Sequence, residues 1–215
     1  MVTPWNDDPP GSIRVIEANA SALILDIVHA APSRNVPSIA IAQAWHRELY
    51  RGVPLPVPYY AGEVRDDDPR FPELIGYEVQ VGGSPVAPAS LVPGELARFE
   101  TSLRLAVANL DAAVPVGAAL GSTELMAVLR LIALVHGEWV RIHPFANGNG
   151  RTARVWGNWV ATRYGLEAFV QLKPRPAQLL YAGAAAASMR GDHSAMVVAL
   201  HSMLRDHLLS QTPSP

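Results

Sequence analysis

The sequence contains no cysteine, which excludes disulfides and thiolate metal sites. It is poor in charge. Charged residues make up 17% of the 215, and the net charge is −2, so no overall basic field points to DNA or to an anionic membrane. Lysine is almost missing: Lys173 stands alone against sixteen arginines. A lysine P-loop, GxxxxGK[ST], is therefore absent, and a phosphate site would be expected to rely on arginine and backbone N–H groups. No uninterrupted apolar run reaches the roughly 18 residues that span a bilayer. The opening stretch, MVTPWNDDPPG, is acidic and proline-rich, unlike a signal peptide. A cytoplasmic protein is the expectation, with secretion into another cell left open.

What is present is apolar. Hydrophobic residues are 49% of the chain, enough for one domain with a full core. Residues 1–11 read as a loose arm. SALILDIVHAAP and SIAIAQAWHRELYRG read as helices, the second running from Ser38 as N-cap to Gly52 as stop. A connector rich in proline and acid follows. YEVQVGGSPVAP alternates about Gly-Gly, as a short β-hairpin would. PGELARFETSLRLAVANLDAAV resumes a helix. In the next one Ser122 is the expected N-cap, and Leu125, Val128, Leu129, Ile132, Val135, Trp139 and Val140 keep the 3.6-residue period. That helix must end near His143, because Pro144 disfavours α geometry before it. RTARVWGNWVATRYG and two helices broken near Gly191-Asp192 complete the chain, and SQTPSP reads as a frayed tail. His193, His201 and His207 read as ordinary helix residues.

HPFANGNGRTAR, residues 143–154, joins two of these helices. Gly148 and Gly150 permit backbone torsions closed to other residues, so successive N–H groups can converge on an anion. The helix that follows points its positive end at the same place. Arg151 and Arg154 lie three apart at that end. A neutral His143 at the rim could take a proton from an attacking hydroxyl. Phe145 is expected to anchor the loop. GNGRTA also fits the dinucleotide pattern GxGxxA, but that motif should follow a strand, and here a helix precedes it.

The stretch resembles the HPFxxGNGRxxR signature of Fic domains at every specified position. The flanking segments HRELYRGVPLPVPYYAGEVRD, VQVGGSPVAPAS and ASMRGDHSAMVVALHSML are similar to the family's pattern. The resemblance spans about 37–207, leaving 1–36 as an N-terminal arm and helix and 208–215 as a flexible tail. It implies a mainly α, Fic-type helical bundle with a small β-hairpin flap. It also implies a nucleotidyltransferase: a protein adenylyltransferase that moves AMP from ATP to a Ser, Thr or Tyr hydroxyl of a target protein, with Mg²⁺ bridging the phosphates. In that scheme His143 is the general base, and Gly148, Asn149 and Gly150 hold the α- and β-phosphates. Arg151 binds the β- and γ-phosphates, Arg154 supports the site, and Tyr181 is an adenine-side aromatic. Val79, Gln80, Val81, Gly82, Gly83 and Ser84 form the target-docking flap. Asn147 stands where the family usually has an acidic Mg²⁺ ligand. The (S/T)xxxE motif of the family's inhibitory helix is absent, since no glutamate follows a Ser or Thr by four. A separate, antitoxin-like inhibitor is the corresponding partner expectation; no nucleic acid and no membrane are expected. The alternatives are a non-catalytic Fic-fold module that binds nucleotide or a partner, and a transferase using another phosphate-containing donor.

Overall fold

The computed structural model describes residues 3–5, 8–82, 84–176 and 179–211. Its helices are α1 (Ile13–Ala30), α2 (Ile39–Leu49), α3 (Val92–Ala113), α4 (Ser122–Ile142), α5 (Asn149–Arg163), α6 (Leu179–Ser188) and α7 (Ser194–Gln211). Strands β1 (Gln80–Val81) and β2 (Ser84–Pro85) pair antiparallel, with Gln80 opposite Pro85 and Val81 opposite Ser84. The structure is thus mainly α. Val79, expected in the flap, lies outside the strand, and Gly83 lies outside the described residues. Pro85 lacks the N–H needed to donate to a longer ladder.

The apolar stripe of α4 is buried as its period requires, with Val128, Leu129, Ile132, Val135 and Trp139 nearly inaccessible. It packs on α5. Gly157 allows the close approach: a Cβ there would sit 3.3 Å from both Ile132 Cγ2 and Val170 Cγ2. Trp45 and Trp156 meet edge to face at 4.7 Å between centroids, and Phe99 meets Trp139 at 5.5 Å. Such pairs add about 0.5–1.5 kcal/mol beyond the area they bury. Asn158 on α5 ties down the next segment, donating to Val170 O at 2.7 Å and accepting from Val170 N at 2.9 Å. That clamp places the loop that carries Leu172 and Lys173.

Ser38 caps α2, its side chain accepting from Ile41 N at 3.3 Å, and Gly52 has φ +75°. Other expectations are corrected. α1 begins at Ile13, well before Ser21, and α4 is capped by Gly121, with Ser122 inside the helix. His193 precedes α7, with Nε2 2.9 Å from Glu138 Oε1. α7 runs on to Gln211, so the first residues of the expected tail are helical; 212–215 lie outside the described residues. The arm is not loose at Trp5, which is 2% exposed. Ile13–Ser33, with mean hydropathy 1.2, is long and apolar enough by length and composition to cross a membrane. Arg14, Glu17 and Asp26 interrupt its apolar run, and Ile16, Ala20, Leu23 and Ile27 are buried as α1 packs on α2 and α5.

Candidate active site

The C-terminus of α4 sets the first residue. His143 adopts the left-handed conformation (φ 54°, ψ 57°), and its N–H returns to Trp139 O at 2.9 Å. Its Nδ1 lies 2.7 Å from Val140 O. A carbonyl only accepts, so Nδ1 carries the proton and Nε2 keeps the lone pair. Burial pushes the imidazole pKa down to about 4, against the Val140 hydrogen bond, with Arg65 adding to the shift. At neutral pH the ring is therefore uncharged, as a base must be.

Arg65 holds this histidine in place. Its side chain is fully buried. Nε donates to His143 O at 2.8 Å, Nη1 to Tyr77 O at 3.0 Å, and Nη2 to Ala87 O at 2.9 Å and Ile142 O at 3.1 Å. Burial lowers its pKa to about 10, which leaves it charged. One guanidinium thus joins the end of α4 to both flanks of the β1–β2 segment.

The loop after His143 is pinned from beneath. Phe145 is buried and stacks on His46 at 3.9 Å. His46 Nδ1 accepts from Gly62 N–H at 2.9 Å, so its Nε2–H donates to Asn147 O at 3.0 Å. Burial drives the His46 pKa down to about 3, which keeps this bridge neutral. Gly148 has φ 78°, and a Cβ would meet Tyr50 Oη at 2.6 Å and His46 Nε2 at 2.7 Å. Both torsion and space require glycine there. Gly150 differs from expectation. It lies inside α5, without a positive φ, and a Cβ would meet only Arg154 Nη1, at 3.4 Å. Its missing side chain leaves room in the cavity and does not serve a special torsion.

Asn149 shapes the loop with its side chain, which accepts from Phe145 N–H at 2.9 Å and donates to Phe145 O at 2.8 Å. Its backbone N–H and that of Gly150 meet no acceptor among the described residues, as the first turn of a helix leaves them. Asn147 faces the cavity, with Oδ1 accepting from Gly148 N–H at 2.6 Å.

The two arginines diverge. Arg154 is 5% exposed and donates to Leu172 O (2.8 and 3.2 Å) and to Tyr181 Oη (3.3 Å). Arg151 gives Nη2 to both Asp8 oxygens, at 2.8 and 3.0 Å, and Nη1 to Tyr50 Oη. Tyr181 is 2% exposed, and its hydroxyl lies 2.8 Å from His136 Nε2.

These residues surround one cavity of about 540 Å³. Its polar lining includes His136, His143, 147–151, Arg154, Lys173 and Arg175; its apolar lining includes Val140, Ala182, Ala185, Ala186 and Met189, with Tyr181 between the two. Val81 and Gly82 of the β1–β2 segment reach it as well. A base, an amide-lined helix start and several cations therefore share one space.

The sequence profile of the Fic/DOC family matches residues 37–161. The chain belongs to the Fic/DOC family. This Fic/DOC chain is also similar to the crystal structure of a Fic domain containing signaling protein from Bacteroides thetaiotaomicron VPI-5482. The TM-score is 0.59 and the identity 20%, and the match covers 88% of this chain and 68% of that one. At that identity the likeness is one of fold. No curated protein matches.

Sequence reasoning missed His46, Arg65, Asp8 and Lys173. Lys173 lines the cavity beside the arginines.

Proposed function

We propose that this Fic/DOC protein is an adenylyltransferase that moves AMP from ATP to a Ser, Thr or Tyr hydroxyl of a target protein. One observation carries the reading: His143 Nε2, free of the proton that Nδ1 holds, lines the same cavity as the start of α5 and Arg151. The hydroxyl oxygen attacks the α-phosphorus as its proton passes to Nε2. The bond to the β-bridging oxygen breaks, and pyrophosphate leaves. The N–H groups of Asn149 and Gly150, at the positive end of α5, suit the oxygens that gain charge. Arg151 suits the β- and γ-phosphates, and the apolar lining beside Tyr181 suits a purine. The edge of β1 would dock the target segment by strand addition.

The test is parallel incubation of the protein and a lysate with α-³²P-ATP and γ-³²P-ATP. Label transferred from the α-position only supports AMP transfer, and label from γ only would make the protein a kinase. No label from either would favour a nucleotide-binding module. A specific observation keeps that second reading in play: Asn147 is neutral, and Arg151 is already paired with Asp8.

Arg151→Ala should weaken ATP binding by roughly 1.5–3 kcal/mol, the worth of a charge-assisted phosphate contact, and should barely change AMP binding. Calorimetry with both nucleotides measures this; equal ATP affinity would remove Arg151 from the phosphate site.

Among the described residues no group of three His, Cys, Asp or Glu could hold a metal. The residues present fit Mg²⁺ only as an ion brought in by phosphates, with Asn147 Oδ1 as a neutral protein ligand. Bound there, Mg²⁺ would neutralise phosphate charge. Asn147→Asp is nearly isosteric and adds the missing charge. It should lower the Mg²⁺ concentration for half-maximal transfer, by about tenfold if the carboxylate is worth ~1.4 kcal/mol. Identical metal dependence in both proteins would take Asn147 off the metal.

A further inference from the structure

We infer that this cavity selects its donor by the triphosphate and not by the base, so that nucleoside triphosphates as a class are donors and ATP is one of them. The inference rests on reading the cavity as a nucleotide site.

The cavity has two ends of different chemistry. The start of α5, with Arg151 beside it, is the end that suits phosphates. The other end is a wall built on α6. Ala182, Ala185, Ala186 and Met189, spaced i, i+3, i+4 and i+7, share one face of that helix, and Val140 and Leu172 line the cavity with them. Methyl groups and a thioether cover the face of a ring through dispersion, but they carry no strong donor or acceptor for its edge. The unbranched methionine also adapts to rings of different outline.

Among the described residues, the polar side chains at this end are His136, Tyr181 and Arg175, and the first two are engaged with each other. Tyr181 Oη accepts from Arg154 Nη1 at 3.3 Å and lies 2.8 Å from His136 Nε2. His136 Nδ1 is buried, and burial pushes the pKa of the ring down to about 3, so it brings no charge at neutral pH. Arg175 is exposed, with its guanidinium 5.9 Å over the Tyr181 ring. A planar guanidinium that lies over one ring can lie over another, and every base has a face of that kind.

Magnitudes decide what such an end can distinguish. A site that hydrogen-bonds a group on its substrate rejects the analogue lacking that group by about 10⁴–10⁵, whereas an apolar pocket separates substrates differing by one small group by only about 10–200-fold. The bases differ mainly in the donors and acceptors on their edges. A wall of alanines leaves those edges unread. Purines cover more of it than pyrimidines, so ATP and GTP should lead CTP and UTP by a small factor. The transfer step is the same for all four: the hydroxyl oxygen bonds to the α-phosphorus, its proton passes to His143 Nε2, the bond to the β-bridging oxygen breaks, and pyrophosphate leaves.

The test is calorimetric titration of the full chain with ATP, GTP, CTP and UTP at one Mg²⁺ concentration. The four should bind within about tenfold of one another. Arg175→Ala should weaken all four by a similar factor. Tyr181→Phe, which keeps the ring and removes the hydroxyl, should leave their order and spread unchanged. One nucleotide standing more than about tenfold ahead of the rest overturns the inference, as does a loss confined to one nucleotide in either variant. Transfer is scored separately, with the same four nucleotides labelled at the α-phosphate. If only ATP labels the target, the inference fails and the adenylyl reading stands. If the four bind alike and none labels a target, selection by the triphosphate stands and the transferase reading fails. No binding by any of the four overturns both.

Discussion

His143→Ala should lower AMP transfer by about 10²–10⁴-fold, the usual worth of a positioned general base, and leave ATP affinity within about twofold. In the proposed reaction the imidazole moves a proton and lies outside the phosphate cradle. Single-turnover rates alongside calorimetric ATP binding measure both quantities, and full activity in the variant would end the base assignment. The pH profile adds a second readout. The pKa of the ring is lowered to about 4, so the base form persists above that value and is lost as pH falls through it. Between pH 5.5 and 8 the wild-type rate should show no limb belonging to His143. A histidine at its ordinary value of about 6.5 would halve the rate near that pH.

Arg65→Met should cost about 3 kcal/mol or more in stability. It removes the one side chain that serves the carbonyls of Tyr77, Ala87, Ile142 and His143, in a position with no solvent to replace it. Each buried acceptor left without a donor costs roughly 1–3 kcal/mol, partly recovered by relaxation. At about 2–4 °C per kcal/mol for a chain of this size, the midpoint of thermal unfolding should fall by roughly 6–12 °C. Transfer should fall further than folding alone explains, because His143 loses its backbone anchor. Arg65→Lys keeps the charge but not the planar fork, and should recover only part of either loss. A midpoint within about 2 °C of wild type in Arg65→Met would show that water or neighbouring groups satisfy those carbonyls.

The parts of the site that could be read in the sequence are those that lie together in it. His143, the glycines and the two arginines fall within twelve consecutive residues, and local helix rules place them at the end of α4 and the start of α5. The periodic stripe of α4 was legible for the same reason, because a helical face depends on spacing alone. What was not legible depends on contacts made across long sequence separations. His46 reaches Asn147 across 101 positions, Arg65 reaches His143 across 78, and Asp8 reaches Arg151 across 143. No spacing rule encodes such pairs. Roles inside the motif were blurred as well. Gly148 and Gly150 look alike in sequence, yet one is required by its torsion and its neighbours while the other sits in a regular helix. The loop-shaping part of the Asn149 side chain was not legible either, because composition cannot tell a side chain that shapes a loop from one that faces its cavity.

The single lysine has a practical consequence. Every other cationic side chain that does not titrate near neutrality is an arginine, which amine-directed reagents pass over. Apart from the amino terminus, an acylating label has one place to react, and that place is inside the cavity, against Asp8. Mass spectrometry of a single peptide then reads the state of the pocket directly. Lys173 is held by the Asp8 carboxylate, so its labelling rate reports on that contact without an added fluorophore or tag.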